Sequence, residues 1–181
     1  PGDFTRNTLY GDAGVMNDNA RGGGDVLTGG DNATVNPLYG DAEVVNDNAH
    51  GGQDVLTGGD NTTGDYTQNR LTGDARLMYD NARGGNDMLT GGDNAGRNEL
   101  YGDAHELFGK ARGGNDVLTG GDNTTGDSTN NTLSADAGVV NANARGSDAR
   151  RTGAATDPHY TPNHAAERVI THRPADQTVR H

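Results

Sequence analysis

The chain has no cysteine and no tryptophan, and its aromatic content is limited to 6 tyrosines and 2 phenylalanines in 181 residues. The missing cysteine excludes disulfide staples and thiolate metal sites. Only 30% of the residues are hydrophobic. A composition this poor in apolar side chains, with excess charge of one sign, ordinarily leaves a chain disordered, because too little apolar surface is buried to offset the entropy of ordering. There is no run of 18 apolar residues to span a membrane and no secretory hydrophobic segment. Catalytic signatures are missing too: no HExxH, no GxSxG, no cysteine nucleophile and no phosphate-cradling loop. Exposed turns offer no pocket that tunes a carboxylate for acid–base work, so the chain reads as a non-enzyme. It begins at Pro1 rather than Met, which reads as a fragment or a processed form.

What the chain has in abundance is glycine and aspartate, arranged in repeats. GGGDVLTGGDN at Gly22 recurs as GGQDVLTGGDN at Gly51, GGNDMLTGGDN at Gly84 and GGNDVLTGGDN at Gly113. A second marker, Asn-x-Leu-x-Gly-Asp-Ala, stands at Asn7, Asn36, Asn69 and Asn98, with a decayed copy at Asn131, at spacings of 29, 33, 29 and 33 residues. The alternation implies a double unit of 62, confirmed by Gly2-Asp3-Phe4-Thr5, Gly64-Asp65-Tyr66-Thr67 and Gly126-Asp127-Ser128-Thr129. Self-similarity at a fixed period is the signature of stacked repeats.

Each unit carries three short apolar pairs, such as Leu9-Tyr10, Val15-Met16 and Val26-Leu27, bounded by Gly, Asp and Asn. Runs of that length between turn residues predict short β-strands, not helices. The fold expected is therefore all-β: a right-handed parallel β-roll or β-solenoid over residues 1–145, with units starting near Gly11, Gly40, Gly73, Gly102 and Ala135. A two-sided roll with three half-turns per unit is preferred over a three-sided helix with one coil per unit. Residues 146–181 read as an irregular basic, histidine-containing tail, such as a frameshifted copy of a repeat, with only Ala165–Thr171 able to form a short helix. Its histidines, His159, His164, His172 and His181, lack tight metal spacing and read as solvated.

Charge says what must hold the body together. Residues 1–144 carry 22 acidic against 8 basic side chains, whereas the remainder carries 4 against 6. Such a body repels itself unless cations sit among its carboxylates. Aspartates on glycine-rich turns, close to accessible backbone carbonyls, form an all-oxygen ligand set that suits calcium before magnesium and well before zinc. The acidity disfavours nucleic acid as a partner.

On these residues the chain resembles the RTX, or hemolysin-type calcium-binding, repeat family, whose nonapeptide GGxGxDxUx is matched by GGNDVLT with one residue missing from the glycine run. The resemblance covers roughly residues 2–144. It implies a β-roll with calcium between aspartates and turn carbonyls of successive coils, in a bacterial protein exported by a type I system and folded outside the cell. It places the family's ligand on Asp25, Asp54, Asp87 and Asp116 and its core leucine on Leu27, Leu56, Leu89 and Leu118. Its turn glycines fall on Gly22-Gly23, Gly51-Gly52, Gly84-Gly85 and Gly113-Gly114. The nonapeptides are not in unbroken tandem, and the position two before each key leucine alternates Asp with Asn, which predicts fewer or weaker sites.

Two further rows, Asp12, Asp41, Asp74 and Asp103, and Asp31, Asp60, Asp93 and Asp122, are read either as metal ligands or as turn caps. The Asp18, Asp47 and Asp80 series is lost at Gly109-Lys110-Ala111 and reads as a structural turn. Thr28, Thr57, Thr90 and Thr119 supply one threonine per unit, either an ordinary strand position or a regular row that binds ice or a polysaccharide. The function expected is a calcium-binding structural module that folds on binding the metal. The alternatives are an adhesive or ice-binding surface, or the non-catalytic part of a secreted hydrolase. Uncapped solenoid ends predict self-association end to end.

Overall fold

The computed structural model describes residues 4–63, 66–122, 124, 130–141, 143–145, 150–153 and 168–171. Every regular element among them is a β-strand, and all strand pairs are parallel. The first sheet stacks β1 (Leu9–Tyr10), β4 (Val35–Tyr39), β7 (Gln68–Thr72), β10 (Arg97–Tyr101) and β13 (Asn130–Ser134). The second stacks β2 (Ala13–Met16), β5 (Ala42–Val45), β8 (Ala75–Met78), β11 (Ala104–Leu107) and β14 (Ala137–Val140). The third stacks β3 (Val26–Thr28), β6 (Val55–Thr57), β9 (Met88–Thr90), β12 (Val117–Thr119), β15 (Arg150–Gly153) and β16 (Arg168–Thr171).

The protein is therefore a parallel β-solenoid, and each repeat unit is one coil with three sides. This replaces the preferred two-sided geometry. All three apolar pairs of a unit lie on strands, so consecutive units begin on the same side. The 29/33 alternation has a local cause. The connection from the third sheet to the next first-sheet strand takes six residues at 29–34 but ten at 58–67. The longer connection is tied to the preceding coil by Asn32, whose left-handed backbone (φ 56°) presents Oδ1 to the N–H groups of Thr62 at 2.7 Å and Thr63 at 3.1 Å.

Equivalent residues stack in register, Leu38 on Leu71 on Leu100 and Leu27 on Leu56 on Leu89 on Leu118. Strand alternation aims these leucines inward, and they form one apolar ladder between the first and third sheets. A second ladder carries Met16, Val45, Met78 and Leu107 along the second sheet, with columns of alanine beside it. A coil of about thirty residues thus puts only three large apolar side chains into these ladders, each contributing about 2 kcal/mol, with Tyr39 and Tyr101 the further large side chains buried on the first sheet. The corners must supply the rest of the order.

Beyond residue 145, β15 and β16 continue the third sheet, with β15 on β12 and β16 on β15. The short helix expected over 165–171 is corrected at Arg168–Thr171, which is strand. Its Val-Ile-Thr run is β-branched and favours the pleated conformation. The first three residues of that expected helix, and the tail histidines, lie outside the described residues.

Candidate metal centre

Aspartate Asp41 and its equivalents, Asp12, Asp74, Asp103 and Asp136, sit at the corner between the first and second sheets, one residue after a glycine or, in the fifth coil, Ala135. The backbone there is committed to the next coil: Asp41 N–H donates to Asp74 C=O at 2.9 Å. The side chains turn into the coil, and Asp41, Asp74 and Asp103 are fully buried. There each meets the glycine pair 11 residues further along its own coil. Gly52 N–H donates to both oxygens of Asp41 at 3.0 Å, Gly85 N–H to Asp74 Oδ1 at 2.8 Å, and Gly114 N–H to Asp103 Oδ1.

The second column, Asp25, Asp54, Asp87 and Asp116, enters from the approach to the third sheet, where the alternation that buries Leu27 and its equivalents also turns these carboxylates inward. Its bonds run between coils. Asp25 N–H donates to Asp54 Oδ1 at 2.7 Å, Asp54 N–H to Asp87 Oδ1 at 2.8 Å, and Asp87 N–H to Asp116 Oδ1 at 2.8 Å. Asp41 has both carboxyl oxygens on the Gly52 N–H, whereas Asp54, Asp87, Asp116, Asp74 and Asp103 each have one oxygen held by the backbone.

The other oxygen is not. Oδ2 of Asp25, Asp54, Asp87 and Asp116, and Oδ2 of Asp74 and Asp103, are shielded from solvent without a hydrogen-bond partner. Bare glycine backbone surrounds them. A Cβ on Gly40 would lie 1.7 Å from Gly73 O and 2.1 Å from Asp54 Oδ2, and one on Gly73 would lie 1.7 Å from Gly102 O and 2.2 Å from Asp87 Oδ2. On the facing side a Cβ on Gly84 would fall 1.9 Å from Asp103 Oδ1 and 2.5 Å from Asp74 Oδ2. Glycine is required at these positions by the close approach of oxygen atoms, not by turn conformation.

Burial and mutual repulsion push these acids up. Asp54 rises to about 6 and Asp116 to about 7, both chiefly through burial. Asp41 rises to about 8, through burial and the Asp54 charge, and Asp87 to about 9, through burial and the Asp116 charge. Asp74 and Asp103 are raised well above the ordinary carboxylate value, each buried and facing acidic neighbours from both columns. An ionised carboxylate without a partner in such surroundings costs several kcal/mol. Either protons or cations must neutralise the corner.

The donor set fits a hard cation. Among the described residues, no three acidic or histidine side chains gather as a ready cage. The carboxylates instead come with glycine carbonyls, so a metal here would be held by Asp oxygens of two coils plus main-chain oxygens. That mixture matches the flexible, oxygen-only coordination of calcium.

The remaining rows divide. Asp31, Asp60, Asp93 and Asp122 are exposed; Asp60 N–H donates to Asp31 Oδ1 at 3.0 Å and Asp93 N–H to Asp60 Oδ1 at 2.7 Å, which is turn-cap geometry. Asp18, Asp47 and Asp80 hold left-handed turn positions (φ 58–59°) on the surface. The threonines Thr28, Thr57, Thr90 and Thr119 stand in register on the outer face of the third sheet.

The asparagines two before the key leucines do not alternate with aspartate in one row, because a three-sided coil puts them on a different side. Asn36, Asn69 and Asn98 form a buried column of their own in the first sheet. Asn36 Nδ2 donates to Asn69 Oδ1 and Asn69 Nδ2 to Asn98 Oδ1, both at 2.9 Å, and each amide also exchanges bonds with a turn glycine. This corner closes without a cation. The aspartate column is unbroken from Asp25 to Asp116, so the alternation with Asn does not dilute its charge. Asp136, buried at 6% exposure, extends the first column into the fifth coil. The decayed NTLSADA copy carries that aspartate in the same place as the intact ones.

Among the described residues no helix is long and apolar enough to cross a membrane. No family model, curated protein or solved structure matches the chain.

Proposed function

We propose that this protein is a calcium-binding structural repeat module whose solenoid is completed by metal at the aspartate corner. The observation that carries the reading is the six buried, unpartnered Oδ2 atoms of Asp25, Asp54, Asp87, Asp116, Asp74 and Asp103, set among glycine carbonyls. The asparagine amides at the other corner of the same coil leave no such deficit. Without a cation, the acidic columns oppose folding and two thin apolar ladders must hold the coils. With calcium bridging successive coils, its binding free energy becomes folding free energy.

The resemblance to hemolysin-type repeats supports the same reading and extends it to a secreted bacterial protein, kept unfolded where calcium is scarce and folded where it is plentiful. A far-UV circular dichroism titration of metal-stripped protein at neutral pH tests it. A cooperative gain of β-structure with calcium, much weaker with magnesium, is expected. A full β-spectrum without metal, indifferent to calcium, would make the columns protonated turn chemistry and overturn the proposal.

A second reading, a surface-binding solenoid, draws on the in-register threonine row. It ranks below the first because each coil offers only one threonine on this face, beside an exposed valine or methionine and between two charged columns.

A further inference from the structure

The outer face of the third sheet is bordered by two charge columns of opposite sign. Before the strands, Arg21, His50, Arg83, Arg112 and Arg145 stand in parallel register from coil to coil. Among the described residues the four arginines make no ion pair; the paired ones are Arg70, Arg76 and Arg97. After the strands come Asp31, Asp60, Asp93 and Asp122, all exposed, the first three held by the backbone N–H of the next coil. Between the columns lies an apolar row that the strand alternation turns outward: Val26 at 79% exposure, Met88 at 54%, Val55 at 39% and Val117 at 36%. Unscreened like charges at the coil spacing of about 4.8 Å repel one another, and among the described residues no acid forms an ion pair with the arginines of this column, the exposed Asp18, Asp47 and Asp80 three residues before it included.

We infer that this face pairs with the same face of a second copy of the chain. A two-fold axis parallel to the coil stack, lying between the faces, turns the cation column of one copy onto the aspartate column of the other. The same axis sets the apolar row against itself. A two-fold across the stack would instead oppose arginine to arginine. The parallel arrangement puts coil against equal coil, so Arg21 meets Asp31 of the partner copy, Arg83 meets Asp93 and Arg112 meets Asp122. The spacing matches at every level because both columns share one coil rise. A closed, isologous contact of this kind gives a dimer rather than a fibre. In the second coil His50 is held below its ordinary value by partial burial and by Arg21 and Arg83, so that level contributes least. Four coils present less area than a standard interface, which makes the dimer weak and salt-sensitive.

This contact is distinct from end-to-end stacking and requires only that the solenoid be folded. Sedimentation velocity over a concentration series, with calcium present and β-structure checked by circular dichroism on the same samples, tests it. A monomer–dimer equilibrium is expected, with affinity falling at least tenfold between 50 mM and 500 mM salt. One variant carries Arg83→Glu with Arg112→Glu, and a second carries Asp93→Arg with Asp122→Arg. Each should be monomeric alone, and the two should dimerise when mixed, because the reversed columns then face opposite charge. A folded monomer at all concentrations would overturn the inference. So would a salt-insensitive oligomer that survives both pairs of substitutions, or a monomer that instead binds a neutral polysaccharide through this face. Loss of calcium-induced folding would show in the circular dichroism alone and is separable from loss of association.

Discussion

Asp54 donates its backbone N–H to Asp87 Oδ1 at 2.8 Å, while Oδ2 of Asp87 is buried without a partner. One carboxylate thus stitches two coils and offers a free oxygen between them. Asp87→Asn keeps the Oδ1 acceptor but replaces the free oxygen with an amide donor that a cation cannot use. Calcium affinity is expected to fall by about tenfold or more, roughly 1.4 kcal/mol, while the metal-free chain gains β-structure because a buried charge is gone. Calorimetric titration and metal-free circular dichroism read the two effects separately. Unchanged affinity would remove Asp87 from the ligand set.

The raised acids fix a pH dependence with a definite sign. Asp41, Asp54, Asp87 and Asp116 lie at about 8, 6, 9 and 7 in the folded chain, against a carboxylate's ordinary 3.8. A raised folded value means that the folded state binds more protons. The stability contribution is therefore complete below about pH 4 and is lost as pH rises through 6 to 9. Metal-stripped protein should be more ordered at pH 4.5 than at pH 8.5 by circular dichroism. With calcium the trend in affinity reverses, since protons compete for the same oxygens.

The glycines before the corner aspartates of the first four coils, Gly11, Gly40, Gly73 and Gly102, are predicted to be intolerant of any side chain. Gly73→Ala would place Cβ 1.7 Å from Gly102 O and 2.2 Å from Asp87 Oδ2, so the coils must separate at the metal corner. A loss on the order of 4 kcal/mol in the calcium-loaded state is expected. Gly14→Ala is the control, because nothing lies within 4 Å of a Cβ there, and its strand position should be neutral to slightly stabilising. Equal effects in thermal melts would refute the account of Gly73.

The repeat period, the all-β class and the inward leucines were legible because they are local: a Leu or Val between turn residues has few other places to go. The count of sides was not, since 29 and 33 residues accommodate either geometry until the four-residue difference is assigned to one connection. The Asp25 series was recognisable from its constant Gly-Gly setting. What sequence alone left open was the fate of the Gly-Asp-Ala and Gly-Gly-Asp-Asn rows, identical in turn chemistry. The Gly-Asp-Ala row turns into the coil and meets Gly52, Gly85 or Gly114, whereas the Gly-Gly-Asp-Asn row stays on the surface capping the next turn. The asparagine column escaped because a buried amide ladder needs partners in neighbouring coils, and those partners are named only by the register.

That ladder supplies the last prediction. Asn69 accepts from Gly59 N–H at 3.0 Å and from Asn36, and donates to Gly59 C=O at 3.0 Å and to Asn98, so its amide closes four valences in a site with no exposure. Asn69→Ala leaves those groups buried and unpaired, and a loss on the order of 3 kcal/mol is expected in the calcium-loaded protein. Asn69→Asp removes the donor and introduces a charge in a corner where Asn36 and Asn98 offer neutral amides, so it should destabilise at least as much at neutral pH and less on acidification. Neither change touches the aspartate corner, and the calcium stoichiometry of the folded fraction should stay that of the parent chain. A drop in stoichiometry with Asn69→Ala would mean that the two corners of a coil do not order independently and that the cation sites depend on the amide ladder.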